Sequence, residues 1–566
     1  MKIFTSKQLY DGIVSKIMAW LRSKHSTGIF FGYYILFSHS NFLFQLKSIA
    51  INAELKIVYE ACVHFDKDLP EFRTNGGIYS NPEAHTASAP VLMWIKALDL
   101  IFDRLRLNGL IDFRQVIGIS GCGQQHGSVY WKQDSERILM NLNPSRFLHE
   151  QLNHCFTIQE SPIWMDSSTT NECKELEKAI GGAQHLAQLT GSRAYERFTG
   201  NQILKIIKHK SDAYNQTERI SLVSSFLASL FIGKYAPIDL SDGSGMNLLD
   251  IHRKQWSPDC IRAVSLNGEN DLVKKLGEEI VPSTQIIGTI SDYFVQRYDF
   301  SPDCYITAFT GDNPASLAGM CLGSNDIAVS LGTSDTIFFT LSTPQPSIDG
   351  HILCNPIDEN LYMGMIVYKN GSRTRERIRD NCADGDWSRF NELLDSVPRG
   401  NFGNIGFYFD FQEISPTIVG DFRYSCFGNE VVSFAPEIEI RACVEGQFLR
   451  LKIHAENLGF KSDNNTRILA TGGASTNPSI VKVLADVFNA PVFTHSIPNS
   501  GALGSALLAK YSQEKSIISY DKMVEKLRST FTMSAKPSLD ANDIYSALSI
   551  KYRQLEDRLT NQSNSE

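Results

Sequence analysis

Two glycine-containing loops interrupt apolar segments within Phe309–Thr336, and this pattern constrains the fold more than any other stretch of the chain. The sequence FTGDNPASLAGMCLGSNDIAVSLGTSDT breaks at Gly311–Asn313 and again at Gly332–Ser334. A core strand gains nothing from a carboxylate at its end, and burying an unpaired carboxylate is costly. The two loops are therefore either ordinary turns or places where an acid and backbone N–H groups are presented to a ligand.

Strand-like and helix-like segments alternate along the chain, which is typical of an α/β fold. Leu46–Phe65 reads as strand, turn and strand, and the following helical pattern ends near Gly109. Gln115–Ser120 reads as a buried strand that breaks at GCGQQHG. A chain of 566 residues is too long for one core. We predict an N-terminal segment 1–45 and two domains, 46–300 and 301–566.

Composition and charge narrow the class of protein. The chain is 42% hydrophobic with a formal net charge of −8, whereas nucleic-acid binders are normally basic. Its eleven cysteines form no CxxC pair, which favours reduced thiols in the cytoplasm over disulfides or a zinc site. The apolar run Gly28–Phe37 has the length of a signal-peptide core and is too short to span a bilayer. We therefore expect no nucleic-acid or membrane partner.

Common phosphate-binding fingerprints are absent. The sequence has no GxxxxGK[S/T] motif and no protein-kinase motifs, and in GCGQQHG the third glycine of a dinucleotide fingerprint is replaced by His126. The sequence instead contains the segment RILATGGASTNPSIVKVLADVF. It predicts a strand, a turn at Gly472-Gly473 and a helix whose N-cap is Asn477 and whose first residue is Pro478. Such a turn lets backbone approach a nucleotide closely, although it also serves plain strand–helix connections.

Taken together, FTGDNPASLAG, VSLGTSDT and ATGGAS resemble the second domain of the FGGY family of carbohydrate kinases. First-half segments resemble the members that phosphorylate xylulose: HFDKDLPEF, ISGCGQQHGSVYW, WMDSSTT, GSRAYERFTGNQI, TERISLVSSF and IDLSDGSGMN. The resemblance runs from about Leu46 to the last helix. It implies two actin-like, ribonuclease-H-like α/β domains with a cleft between them, which binds ATP, Mg²⁺ and a sugar, D-xylulose.

The resemblance also implies residue roles. Asp312 would be the catalytic base that accepts the proton of the sugar 5-hydroxyl. The matched positions are His126, Arg197, Asp312 and Asn313 for the sugar, Gly332, Thr333 and Ser334 for phosphate, and Gly472, Gly473, Asn477 and Trp387 for adenosine.

Each side chain also has a purely structural interpretation. His126 would be a satisfied structural histidine, Arg197 would pair with Glu196, and Trp387 would be a packing aromatic. Asp239 and Asp242 in IDLSDGSG are expected in a turn near the sugar at best.

The N-terminus departs from the family pattern. The family's first strand ends in an Asp-x-Ser/Gly-Thr loop, whereas YYILFSHSNFLFQ has neither an aspartate nor a glycine turn at that place. This chain is thus either a mis-assembled translation of a normal kinase gene or a genuinely altered, weak or dead enzyme. The function predicted is ATP-dependent phosphorylation of D-xylulose. The alternatives are an impaired sugar- or nucleotide-binding homologue, and a kinase for another ketose or polyol.

Overall fold

Two seven-stranded sheets organise the chain, each covered by helices. The computed structural model describes residues 29–37, 44–109, 111–265, 268–323, 325–413, 418–495 and 499–563. The α/β class expected from the alternating pattern is confirmed by this arrangement.

The first sheet carries the N-terminal strands. Its strands follow the spatial order Ile286–Thr289, Tyr305–Thr307, Val116–Gly123, Ile29–Phe37, Phe44–Ile51 and Ile57–His64, and Thr310–Gly311 lies beside Val116–Gly123. Phe44–Ile51 and Ile57–His64 pair antiparallel, so the predicted strand, turn and strand are confirmed. The sheet uses residues on both sides of position 300.

The apolar run near the N-terminus forms an interior strand of this sheet. Ile29–Phe37 pairs parallel with Val116–Gly123 and antiparallel with Phe44–Ile51. Its carboxyl end therefore lies at the edge where QQHG follows the neighbouring parallel strand, which continues through Gly123 and does not break after Ser120 as the sequence predicts. Residues 38–43, where the sequence lacks the family's first phosphate loop, lie outside the described residues.

The second sheet is built from the C-terminal half. Its spatial order is His351–Cys354, Tyr362–Tyr368, Asp335–Leu341, Asp326–Leu331, Arg467–Thr471, Val492–Thr494 and Thr532–Ala535. Asp326–Leu331 and Arg467–Thr471 run parallel. Loops at the carboxyl ends of parallel strands meet at one edge. The glycine loops Gly332–Ser334 and Gly472-Gly473 follow these two strands and are brought together in this way.

Helices pack around both sheets. Those of eight or more residues in the described part are Val91–Asn108, Thr170–Ile180, Ala183–Thr190, Thr199–His209, Val223–Ile232, Glu269–Leu276, Asp312–Gly319, Ser372–Cys382, Trp387–Ser396, Pro436–Asn457, Pro478–Phe488, Ser500–Glu514, Tyr520–Arg528 and Ala541–Ser563. None of them combines the length and apolarity needed to cross a bilayer. All eleven cysteines lie in the described ranges and are free thiols.

Glycines allow one pair of helices to pack at very close range. A Cβ on Gly504 would lie 1.8 Å from the Ala315 carbonyl oxygen, and one on Gly319 would lie 1.9 Å from that of Ser500. Helix Ser500–Glu514 therefore lies directly against helix Asp312–Gly319, which carries the predicted base. The close helix packing expected for SGALGSALLAKY is found here.

Candidate active site

A cavity of about 860 Å³ brings together loops from both sheets. Eight of the predicted site residues line it, namely His126, Arg197, Asp312, Asn313, Gly332, Thr333, Ser334 and Gly472. Residues from both halves of the chain thus meet in one cleft, as a two-substrate enzyme requires.

Asp312 is the acidic side chain of this cavity. It is the first residue of helix Asp312–Gly319, and its Oδ1 accepts hydrogen bonds from the backbone N–H groups of Gln125, at 3.2 Å, and Asn313, at 2.9 Å. Burial raises the pKa of Asp312 to about 6, against the lowering effect of those bonds. At neutral pH the carboxyl group is therefore ionised, yet a far better proton acceptor than an exposed aspartate.

His126 is held as a neutral acceptor. Its ring stacks on Phe198 with centroids 4.4 Å apart, and its Nδ1 lies 2.9 Å from the Gly245 carbonyl oxygen. Because a carbonyl can only accept, Nδ1 carries the proton and Nε2 is left as an acceptor. Burial, helped by the charge of Arg197, lowers the pKa of His126 to about 3. A neutral imidazole of this kind suits a hydroxyl ligand.

Arg197 reaches the same cavity without a carboxylate partner. Its guanidinium lies 5.4 Å from the Tyr195 ring centroid, and Nη2 donates to His351 Nε2 at 3.4 Å. Within the described residues it forms no ion pair with Glu196 or any other acid. Its donors remain available to a polar ligand.

The loop Gly332–Ser334, which the sequence predicts to bind phosphate, is held by the turn that follows the neighbouring strand Tyr362–Tyr368. Ser372 N donates to the Gly332 carbonyl oxygen at 2.9 Å, and a Cβ on Gly371 would lie 2.8 Å from the Thr333 carbonyl oxygen. Gly472 has a φ of 84°, and a Cβ there would lie 2.6 Å from the Leu331 carbonyl oxygen. Only glycine fits at this turn.

Three predicted nucleotide-side residues lie beside the cavity lining instead of in it. Asn477 caps helix Pro478–Phe488, as the sequence predicts, and its Nδ2 donates to Asn391 Oδ1 at 2.8 Å. Trp387 packs edge-on against Phe390 with centroids 5.1 Å apart and stacks beneath Arg379. Gly473 is exposed, with nothing within 4 Å of a Cβ.

Sequence reasoning missed several residues of the site. Trp164, Lys369, Arg373 and Phe411 line the cavity. Trp164 lies in the segment WMDSSTT, which carries part of the family resemblance, so the sequence contained a signal for it. Lys369, Arg373 and Phe411 lie in no motif, and only the fold brings them into the cavity. The turn expected at Asp239 and Asp242 is instead a short helix, Leu240–Gly243, capped by Asp239.

Both of those aspartates are buried behind the base. Asp242 Oδ2 accepts from Ser224 Oγ at 2.6 Å, and Asp239 Oδ2 accepts from Thr310 Oγ1 at 2.7 Å. Burial raises the pKa of both carboxyl groups, that of Asp239 to about 6. They support the Thr310–Asp312 turn from behind and do not line the cavity.

Comparison with known families and proteins agrees with this geometry. The N-terminal domain of the FGGY family of carbohydrate kinases matches residues 156–319, and the C-terminal domain of that family matches residues 327–512. A xylulose kinase of Rattus norvegicus is 51% identical over 516 residues, which cover 91% of this chain and 95% of the relative. The chain belongs to the FGGY family of carbohydrate kinases. It is an ATP-dependent sugar kinase by that membership.

Other similar proteins extend the comparison. Xylulose kinase 2 of Arabidopsis thaliana is 44% identical over 538 residues, covering 91% of this chain and 95% of that one. The crystal structure of xylulose kinase from Rhodospirillum rubrum has a TM-score of 0.75 at 14% identity, covering 94% of this chain and 99% of that chain. The predicted fold of the FGGY family, two actin-like domains with a cleft between them, is confirmed by these likenesses.

Proposed function

We propose that this FGGY kinase transfers the γ-phosphoryl group of ATP to the 5-hydroxyl of D-xylulose. One observation carries the proposal: the oriented carboxylate of Asp312 lies in a single cavity with the polar side chains of His126, Arg197 and Asn313 and with two glycine loops. The xylulose kinases among its relatives support the choice of sugar.

The chemistry asked of Asp312 is modest. The sugar oxygen forms a bond to the γ-phosphorus, the bond from that phosphorus to the β–γ bridging oxygen breaks, and ADP leaves with the electron pair. The hydroxyl proton goes to Asp312. Phosphoryl transfer depends mainly on positioning and on neutralising charge. Bonds from Gln125 and Asn313 fix Asp312 Oδ1, so Oδ2 is the oxygen that takes the proton.

His126, Arg197 and Asn313 are proposed to hold the sugar. They offer one acceptor, a set of guanidinium donors and an amide, which together can satisfy both halves of a hydroxyl group. Asn313 is positioned for this by its Nδ2, which donates to Gln125 Oε1 at 2.8 Å. The glycine loops, with Asn477 and Trp387 beside them, are proposed to hold the nucleotide.

Mg²⁺ is proposed to accompany ATP. Among the described residues no group of three or more acids, histidines or cysteines is arranged to hold a metal. This fits Mg²⁺, which usually binds through one or two carboxylates, substrate phosphates and water. The ion would be bound mainly through the nucleotide phosphates and would neutralise their charge.

The second candidate is a binding homologue with impaired catalysis. It is favoured by the sequence SHSNFL at residues 38–43, which has no aspartate to meet phosphates or metal. A cytoplasmic location is proposed from the free thiols. The division into 46–300 and 301–566 stays a prediction.

A coupled assay of ADP release tests the function. We expect release to depend on D-xylulose and to be much weaker with other ketoses and polyols, and the product to be the 5-phosphate. The matched control is Asp312→Asn, which should bind the sugar in titration calorimetry and release almost no ADP. Sugar binding by the parent chain without any turnover would favour the binding homologue.

A further inference from the structure

Two cationic side chains line the cavity beside the phosphate loop and belong to none of the motifs in the sequence. Lys369 follows strand Tyr362–Tyr368, and Arg373 lies in the first turn of helix Ser372–Cys382. Both are exposed. Within the described residues neither forms an ion pair.

The lack of a partner at Arg373 contrasts with the rest of its helix. Arg375 pairs with Asp335 at 2.6 Å, and Arg377 pairs with Asp421 at 2.8 Å. Arg379 pairs with the adjacent Asp380. Arg373 is the arginine of this helix that faces the cavity, where the sole acidic lining residue in the described part is Asp312.

The position of Arg373 is also unfavourable unless an anion binds. The first turn of a helix carries a partial positive charge, so acidic residues are favoured there and a cation is repelled. A phosphate at the same place interacts well with both the cation and the free N–H groups. The chain as a whole carries a formal net charge of −8. The part of the cavity lined by Lys369 and Arg373 instead carries two positive charges.

The turn between the two cations is rigidly built. The backbone N–H groups of Lys369 and Asn370 donate to the buried Glu413 carboxylate at 3.0 and 3.3 Å. Gln447 Nε2 donates to the carbonyl oxygens of Asn370 and Gly371 at 2.9 and 3.2 Å. This turn also holds Gly332 through Ser372. The cations are thereby fixed relative to the phosphate loop.

We propose that Lys369 and Arg373 bind the phosphates of the nucleotide, so that this turn is a second phosphate-binding element beside the Gly332–Ser334 loop. The proposal rests on the proposed function and adds residues to its nucleotide site. It also gives a source of positive charge that is independent of the N-terminal loop, because both cations come from the C-terminal half.

Binding of MgADP and of AMP, measured by titration calorimetry without any sugar, tests the proposal. Lys369→Met and Arg373→Met are each expected to weaken MgADP binding by roughly ten- to hundredfold, the effect of losing a hydrogen bond between charged groups. AMP, with fewer phosphates, should lose less. Lys369→Arg should recover much of the affinity. Lys461→Met, which removes an exposed lysine outside the cavity lining, is the matched control and should bind as the parent does.

The outcome that overturns the proposal is MgADP affinity within twofold of the parent in both methionine variants. Since no sugar is present, this result is separate from the proposed function. A parent chain that binds MgADP and phosphorylates no sugar would count against the kinase function alone. Circular dichroism melting of each variant, expected to match the parent, keeps a folding defect from being mistaken for lost binding.

Discussion

The backbone N–H of Gln125 donates to Asp312 Oδ1 over 3.2 Å and joins residues separated by 187 positions. In return, Gln125 Oε1 accepts from Asn313 Nδ2 at 2.8 Å. The GCGQQHG segment, which carries His126, thereby orients the Asp312 carboxylate. A shift of this segment would disturb both the proposed base and the proposed sugar contacts.

Asp312→Asn should abolish most turnover and leave sugar binding intact. The amide keeps the shape and one acceptor oxygen of the carboxylate, but it cannot accept the hydroxyl proton. We expect kcat to fall by roughly 10²–10⁴. Steady-state kinetics and sugar calorimetry measure the two effects, and turnover close to that of the parent would remove Asp312 from the role of base.

The same Asp312→Asn variant, although it lowers turnover, should make the folded protein more stable at alkaline pH. The folded pKa of Asp312 is raised from 3.8 to about 6, so its contribution favours the folded state below pH 4 and is lost as pH rises through 6. At pH 8 the ionised carboxylate therefore destabilises the fold. Asp312→Asn should raise the free energy of unfolding there by up to about 3 kcal/mol, and the gain should vanish near pH 4.

The pH profile of kcat/KM should show an acidic limb near pH 6 that belongs to Asp312. His126 is excluded as its source, because its pKa is lowered to about 3 and the ring is neutral throughout the working range. His126→Gln should therefore raise the KM for the sugar and keep the limb. Disappearance of the limb in His126→Gln would assign it to the histidine.

Local signals in the sequence predicted the elements that depend on neighbouring residues. Asn477-Pro478 begins a helix and Gly109 ends one, because capping and left-handed backbone are properties of a few adjacent residues. Lys369 and Arg373 could not be found in this way. Their position in the cavity depends on strand pairing and on bonds to Glu413 and Gln447, which are distant in sequence. The burial of Asp239 and Asp242 could not be predicted either, because it depends on distant residues, whereas the local sequence Asp-Gly-Ser favours an exposed turn.

Gly473→Val should weaken nucleotide binding without unfolding the protein. A Cβ at Gly473 has no atom within 4 Å, and the residue is exposed, so we expect the fold to accept a side chain that projects where adenosine is proposed to lie. We expect a higher KM for ATP, an unchanged KM for the sugar and an unchanged melting temperature. Gly472→Val is the contrasting control, since its positive φ and the Leu331 backbone should make it unstable. A raised sugar KM in Gly473→Val would assign this loop to the other substrate.

Arg375→Met should strongly destabilise the fold beside the phosphate loop. Arg375 and Asp335 are almost fully buried and form two hydrogen bonds, of 2.6 and 2.9 Å. Removing the arginine leaves a buried carboxylate unpaired, which costs about 3–5 kcal/mol. Arg262→Met, which removes an exposed pairing, should change the free energy of unfolding far less than Arg375→Met does. Chemical denaturation measures the free energy of unfolding of both variants. Equal decreases in the two would contradict the prediction that the buried Arg375–Asp335 pair matters more than an exposed pair.

The last prediction concerns the strand Ile29–Phe37 and the residues that follow it. This strand already occupies an interior position of the first sheet, parallel to Val116–Gly123, so the sheet is complete around it. What the sequence lacks is the acidic loop after it, since SHSNFL contains no aspartate and no glycine. The chain should therefore bind D-xylulose through His126, Arg197 and Asn313 but phosphorylate it slowly. Loss of one element of the preorganised electrostatic stabilisation of a transferring phosphoryl group, here the carboxylate that would meet its metal ion, costs about 3–4 kcal/mol, a hundredfold or more in rate.

Replacing residues 1–45 with a short strand that ends in Asp-x-Ser-Thr should raise kcat by about that factor, while the KM for the sugar changes little. The matched control carries Asn-x-Ser-Thr in the same replacement, which keeps the length and the turn but not the charge. It should remain slow, because the missing group is the carboxylate that meets phosphate-bound metal. If the unaltered chain turns over as fast as the Asp-containing replacement, the loop is dispensable. The cations at Lys369 and Arg373 would then be the first residues to test as its substitute.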